Sequence, residues 1–177
     1  MLRRGGDPLD RSGTAGGVRA RARRRLWIAW LAVAACTFVI LGLGGAEFGA
    51  AQTSRYMLPA LRWLFPDLSI RTYLVLIVWI RKIAHITEYA LLGWLAFRAV
   101  WLSLVQQSKL ARVALLALGL AAAVALTDEI RQAFLHNRTG SPWDVAIDVS
   151  GALLAIGVAL WWQRRSRVTA TLGARAA

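Results

Sequence analysis

Long apolar stretches alternate with short polar runs along this chain. Leu26 to Ala46 carries no charged residue and is long enough, at 1.5 Å rise per residue, to cross about 30 Å of hydrocarbon as a helix. A second apolar stretch starts near Tyr73 and is broken by Arg81, Lys82, His85 and Glu88 before it resumes to about Leu104. Residues 83–104 form the predicted second span. Thr72 to Ile80 is too short to cross alone and is expected either to lie at the interface or to extend that span outward. Residues 111–130 and 143–162 make the third and fourth spans, with Trp143, Trp161 and Trp162 placed as an interfacial aromatic belt would be. The pattern predicts an all-α integral membrane bundle of four transmembrane helices. Its membrane domain covers 26–162, between a basic, flexible N-terminal tail (1–25) and a basic C-terminal tail (163–177).

Composition agrees with a membrane domain: 58% of the 177 residues are hydrophobic and nine are tryptophan. A cleaved signal peptide is the rival reading of the first span, since arginines precede it, but the apolar run exceeds a typical signal core. The net charge of +13 does not point to nucleic acid, because the basic excess lies in the two tails and one connection. Residues 1–25 hold eight arginines against Asp7 and Asp10, the connection after span two holds Arg98, Lys109 and Arg112, and the tail holds Arg164, Arg165, Arg167 and Arg175. By the positive-inside rule, both termini are expected in the cytoplasm, with phospholipid head groups as the counter-charge. The single cysteine, Cys36, lies mid-way along span one, so it is read as a small packing residue.

With that topology the polar runs converge on the outer third of the bilayer. Glu88 and Asp148 each fall about 7 Å inside their helix starts, and Asp128 lies near the outer end of its helix. At 100° per residue, Arg81, Lys82, His85, Glu88 and Tyr89 occupy one third of a helix circumference, continued inward by Leu92 and Ala96. Asp128, Glu129 and Gln132 share a face above Ala125 and Ala121. Asp144, Asp148, Gly151 and Ala155 align on span four, and Gly151-x-x-x-Ala155 permits close helix approach. Ser141 is the expected N-cap of span four, with Pro142 at its first position and Asp144 at the favourable end of the dipole. Trp63, Pro59 and Pro66 suggest a first outer loop lying on the membrane surface, with the option of a lid over the cluster.

These pieces in this order resemble the VanZ-like family of small bacterial membrane proteins. The matching residues are Arg81-Lys82-x-x-His85-x-x-Glu88-Tyr89-Ala90-x-Leu92-Gly93, Asp128-Glu129-x-x-Gln132, Arg138 with Ser141, and Asp144-x-x-x-Asp148-x-x-Gly151. The fourth motif often has Asn where this chain has Asp148, which adds a negative charge here. The approach Leu135-His136-Asn137-Arg138 replaces a Pro-Gly-Arg-type sequence, so no role passes to His136. The resemblance implies a multi-pass protein of the bacterial plasma membrane acting in the cell envelope. The family's namesake is associated with low-level resistance to the glycopeptide teicoplanin.

Three readings of the cluster Arg81, Lys82, His85, Glu88, Tyr89, Asp128, Glu129, Gln132, Arg138, Ser141, Asp144 and Asp148 stand open. It could be an ion-pair network that fixes helix register. It could bind a phosphate, pyrophosphate or carboxylate of a lipid-linked envelope precursor or of a glycopeptide, a task suited to arginine's planar fork. Alternatively, His85 or Glu88 could act as general base beside a carboxylate, in a membrane-embedded enzyme that hydrolyses or transfers a group on an envelope lipid. No H-E-x-x-H, G-x-S-x-G or Walker motif occurs, so no enzyme class is specified. His85 with carboxylates is a low-specificity metal signal, and neither metal nor cofactor is expected. Membrane lipids are the one certain class of neighbour, and the oligomeric state is not legible.

Overall fold

A computed structural model describes residues 8–43, 50–104, 109–134 and 141–176, with side chains described over 16–42, 53–104, 109–134 and 141–166. Among the described residues the chain is all helical: α1 (Pro8–Leu43), α2 (Ala50–Leu64), α3 (Ile70–Leu104), α4 (Leu110–Ala133) and α5 (Pro142–Ala176). Three segments are long and apolar enough to cross a membrane: Gly16–Gly42 of α1, α4, and Pro142–Ser166 of α5. α3 has the length, but Arg81, Lys82, Glu88 and Arg98 interrupt its apolar surface, and it is not among the three. Of the two alternatives for residues 72–80 the structure shows the extension, since residues 70–104 form one helix. α1 likewise runs back to Pro8, into the segment read as a basic tail.

α3 is the hub, in contact with each of α1, α2, α4 and α5. Its pairing with α5 depends on two glycines. A Cβ on Gly93 would lie 2.8 Å from the Ala152 Cα, and one on Gly151 would lie 3.1 Å from the Ile86 Cα and closer still to the Ile86 carbonyl oxygen. Only a hydrogen atom fits at either crossing point, so backbone meets backbone, as small-residue motifs allow where lipid supplies no hydrophobic drive. α4 enters on a column of Val113, Ala117, Ala121 and Ala125, all fully buried, which faces Leu92, Ala96, Ala99 and their neighbours in the core. α1 packs into the core shared by α3 and α4 through Ala29, Val33 and Ile40, with Cys36 partly buried against it. Trp30 Nε1 donates to Ser103 Oγ at 3.2 Å, which places the early part of α1 beside the end of α3.

α2 was not foreseen as a helix. It is stitched to the start of α3 by Leu61, Tyr73 and Ile77, by the Tyr73 hydroxyl donating to the Phe65 carbonyl, and by Arg62 standing 6.0 Å from the Tyr73 ring. Ser69 caps α3, accepting from the Thr72 N–H at 3.2 Å. Trp63, Leu64 and Phe65 remain exposed on the outer side of this elbow. Exposed Thr87 and Thr127 return their hydroxyls to carbonyls four residues back at 2.8 Å, so these polar groups need no partner outside their own helices.

Candidate functional site

The polar end of the bundle is built at the junction of three helices. Val78, Arg81, Lys82 and His85 on α3, Glu129 and Gln132 on α4, and Asp144, Ile147 and Asp148 on α5 enclose a cavity of about 140 Å³. Helical spacing explains the α3 contribution, because residues 78, 81, 82 and 85 recur on one face. The α5 contribution repeats the same arithmetic at 144, 147 and 148. The close approach at Gly151, one turn beyond Asp148, is what lets the two faces meet.

Several cluster members are committed to holding the helices in place. Ser141 caps α5, its hydroxyl accepting from the Trp143 N–H at 3.3 Å, with the Asp144 N–H donating to the Ser141 carbonyl at 2.9 Å. The backbone N–H of Ser141 donates in turn to the Glu129 carboxylate, which ties α4 to the start of α5. Asp128 is buried; it accepts from Gln132 Nε2 at 2.6 Å and from Arg131 at 3.1 Å. Arg131 also donates to the Leu41 carbonyl near the end of α1, so one guanidinium joins α1 to α4. Reading the sequence did not assign Arg131 to the cluster. Its place three residues after Asp128 was a signal, but the Leu41 partner lies 90 positions away and only the fold supplies it.

Other members retain unused bonding capacity. Lys82 Nζ meets Asp144 Oδ1 at 2.6 Å. His85 Nδ1 and Asp148 Oδ1 lie 3.3 Å apart, within ion-pair reach, yet neither atom has a hydrogen-bond partner among the described residues. Arg81, half-buried in the cavity wall, has no carboxylate within ion-pair distance among the described residues. Tyr89 is fully buried and its hydroxyl is also without a hydrogen-bond partner among the described residues.

The fold therefore brings Arg81, Lys82, His85, Glu129, Gln132, Asp144 and Asp148 together, with Asp128, Tyr89 and Ser141 packed around them. Glu88 does not line the cavity; it is half-buried, within electrostatic reach of His85, Asp148 and Asp128 and also of Cys36 on α1. Arg138 lies outside the described residues, as do His136, Asn137 and Gly140. Among the described residues none from α2 lines the cavity, so the option of a lid gains no contact there. Among the described residues no group of three His, Cys, Asp or Glu side chains is arranged to hold a metal ion.

No curated protein and no solved structure matches the chain. A family model described as VanZ/LLP1 matches residues 26–163, a range that takes in the four apolar stretches and every member of the polar cluster, and the chain belongs to that family of membrane proteins.

Proposed function

We propose that α3 crosses the membrane as a fourth span, that both termini are cytoplasmic, and that the cavity opens outward to bind the oxyanion head of an amphiphilic envelope molecule. The basic excess at the other end of the bundle supports this orientation. α2 then lies on the outer surface of the bilayer, with Trp63, Leu64 and Phe65 toward lipid.

One observation carries the binding reading: among the described residues Arg81 stands in the cavity wall without a carboxylate partner, while Lys82 is matched by Asp144 and Glu129 is taken by the Ser141 N–H. A purely structural network would spend all its cations on its carboxylates, because an unpaired charge within a bundle is costly. Among the described residues the groups left over are the Arg81 guanidinium, which has no carboxylate within ion-pair distance, and the unbonded His85 Nδ1 and Asp148 Oδ1. A ligand that satisfies both offers a phosphate or carboxylate close to a hydroxyl or amine. Lipid-linked envelope precursors and glycopeptides of the teicoplanin type both have such groups.

The experiment compares retention of a polyprenyl phosphate by purified wild type and Arg81→Gln, alongside teicoplanin susceptibility of a sensitive bacterium expressing each at matched membrane abundance. The reading expects wild type to retain the lipid at least tenfold better than Arg81→Gln, as loss of a charge-assisted bidentate contact implies. Protection against teicoplanin that disappears in Arg81→Gln would assign resistance to the same cavity. Equal lipid retention by the two proteins, with no protection by either, would overturn the proposal.

A second reading keeps the cavity and adds chemistry. His85 beside a buried Asp148 has the base-and-orienter arrangement of a general acid–base pair. In that case His85→Gln abolishes turnover of the retained lipid while leaving its binding within a few-fold. Turnover that persists in His85→Gln would remove this reading.

A further inference from the structure

A second cavity, of about 350 Å³, opens at the far end of the bundle between α3 and α5, where Trp94, Phe97, Trp101 and Trp162 surround Arg98 and Gln163. Arg98 and His85 are thirteen positions apart on one helix, so the two cavities are separated by about 20 Å. The chemistry differs as much as the position: the wall is aromatic, and its one charged lining residue is an arginine. Arg98 is exposed and makes no ion pair among the described residues.

The surroundings decide the occupant. No acidic residue occurs between Glu88 and Asp128, or anywhere after Asp148, so this end of α3, the start of α4 and the end of α5 carry positive charge alone. The Trp30 to Ser103 hydrogen bond brings the early part of α1 to the same end, and with it Arg21, Arg23, Arg24 and Arg25 just beyond. Arg165 stacks on the Trp161 ring at 4.0 Å, which holds another guanidinium at the level of the aromatic belt. An aromatic cleft facing the hydrocarbon, with an unneutralised arginine at its rim and no carboxylate nearby, complements an acyl chain ending in a negative head group.

We propose that this cleft is a binding site for an anionic glycerophospholipid, with the phosphate on Arg98 and Gln163 and an acyl chain against Trp94, Trp101 and Trp162. The proposal is independent of what the polar cavity binds. Site occupancy by such a lipid would fix the separation of α3 and α5 just beyond their contact at Gly93 and Ala152.

The test is native mass spectrometry of delipidated protein titrated with phosphatidylglycerol or with phosphatidylcholine of the same chains. Wild type should retain phosphatidylglycerol about fivefold better, the increment expected for one arginine near a membrane surface. Arg98→Gln should bring the two lipids to parity, Arg98→Lys should keep most of the preference, and Arg55→Gln, an exposed cation on α2, should leave it intact. Equal retention of both lipids by wild type would overturn the proposal. So would an unchanged preference in Arg98→Gln, or the same loss in Arg55→Gln, which would make the effect one of overall charge.

Discussion

Gly151→Ala tests the helix contact on which the polar cavity depends. The new methyl carbon would stand 3.1 Å from the Cα and from the carbonyl carbon of Ile86, where ordinary carbon contacts lie at about 3.5–4.0 Å. Because the opposing atoms are backbone, the strain cannot be relieved by a rotamer change, and α3 must move from α5 by about 0.5–1 Å. Such a shift would stretch the 3.3 Å contact between His85 and Asp148, which flank the crossing, to about 4 Å. Overpacking of this kind costs about 1–3 kcal/mol, or several degrees of melting temperature at about 2–4 °C per kcal/mol. The assay is thermal unfolding in detergent followed by tryptophan fluorescence. Gly157→Ala on the same helix and Gly119→Ala on α4 are the controls, since a Cβ at either would meet nothing within 4 Å. Those two should be neutral or stabilising by up to about 1 kcal/mol, because alanine is the better helix former. A Gly151→Ala protein as stable as the Gly157→Ala protein would refute the claim that the α3–α5 contact is limited by backbone.

Three other substitutions follow from particular contacts. Tyr89→Phe should be neutral or slightly stabilising in the same assay, because it removes a buried hydroxyl that has no hydrogen-bond partner among the described residues; a loss above about 2 kcal/mol would show that the hydroxyl is bonded. Asp128→Ala should cost about 1–3 kcal/mol by leaving Gln132 and Arg131 short of an acceptor, and Asp128→Asn should cost less. Lys82→Gln should cost less than about 1 kcal/mol, since the side chains of the Lys82 and Asp144 pair are 37% and 42% exposed. If chemical denaturation finds Lys82→Gln more damaging than Asp128→Ala, the assignment of structural and spare groups is reversed.

The buried faces were legible where small or apolar residues continue a polar stripe along the same helix. Leu92 and Ala96 below the α3 polar stripe, and Ala121 and Ala125 below Asp128, are all fully buried. The N-cap at Ser141 was equally readable, because capping is local chemistry. Glu88 illustrates the limit of periodicity: it shares the predicted third of the circumference with Arg81 and His85, yet α3 is surrounded by several helices and the edge of that arc turns away from the cavity. α2 was not legible because its Pro59 and its shortness resemble a loop, and its stability comes from Tyr73 and Ile77 on the next helix. Gly93 appeared in the sequence as a motif letter without a packing role, since its partner Ala152 is supplied by the fold.

Cysteine accessibility tests whether the polar cavity opens outward without assuming a ligand. Cys36 is the single native cysteine, so Arg81→Cys in a Cys36→Ala background places one thiol in the cavity wall. Intact cells are treated with a membrane-impermeant thiol reagent, with and without permeabilisation. Labelling in intact cells is the predicted result, because the proposed topology sets this wall residue against water on the outer side. Labelling only after permeabilisation would put the cavity on the inner side and contradict the account.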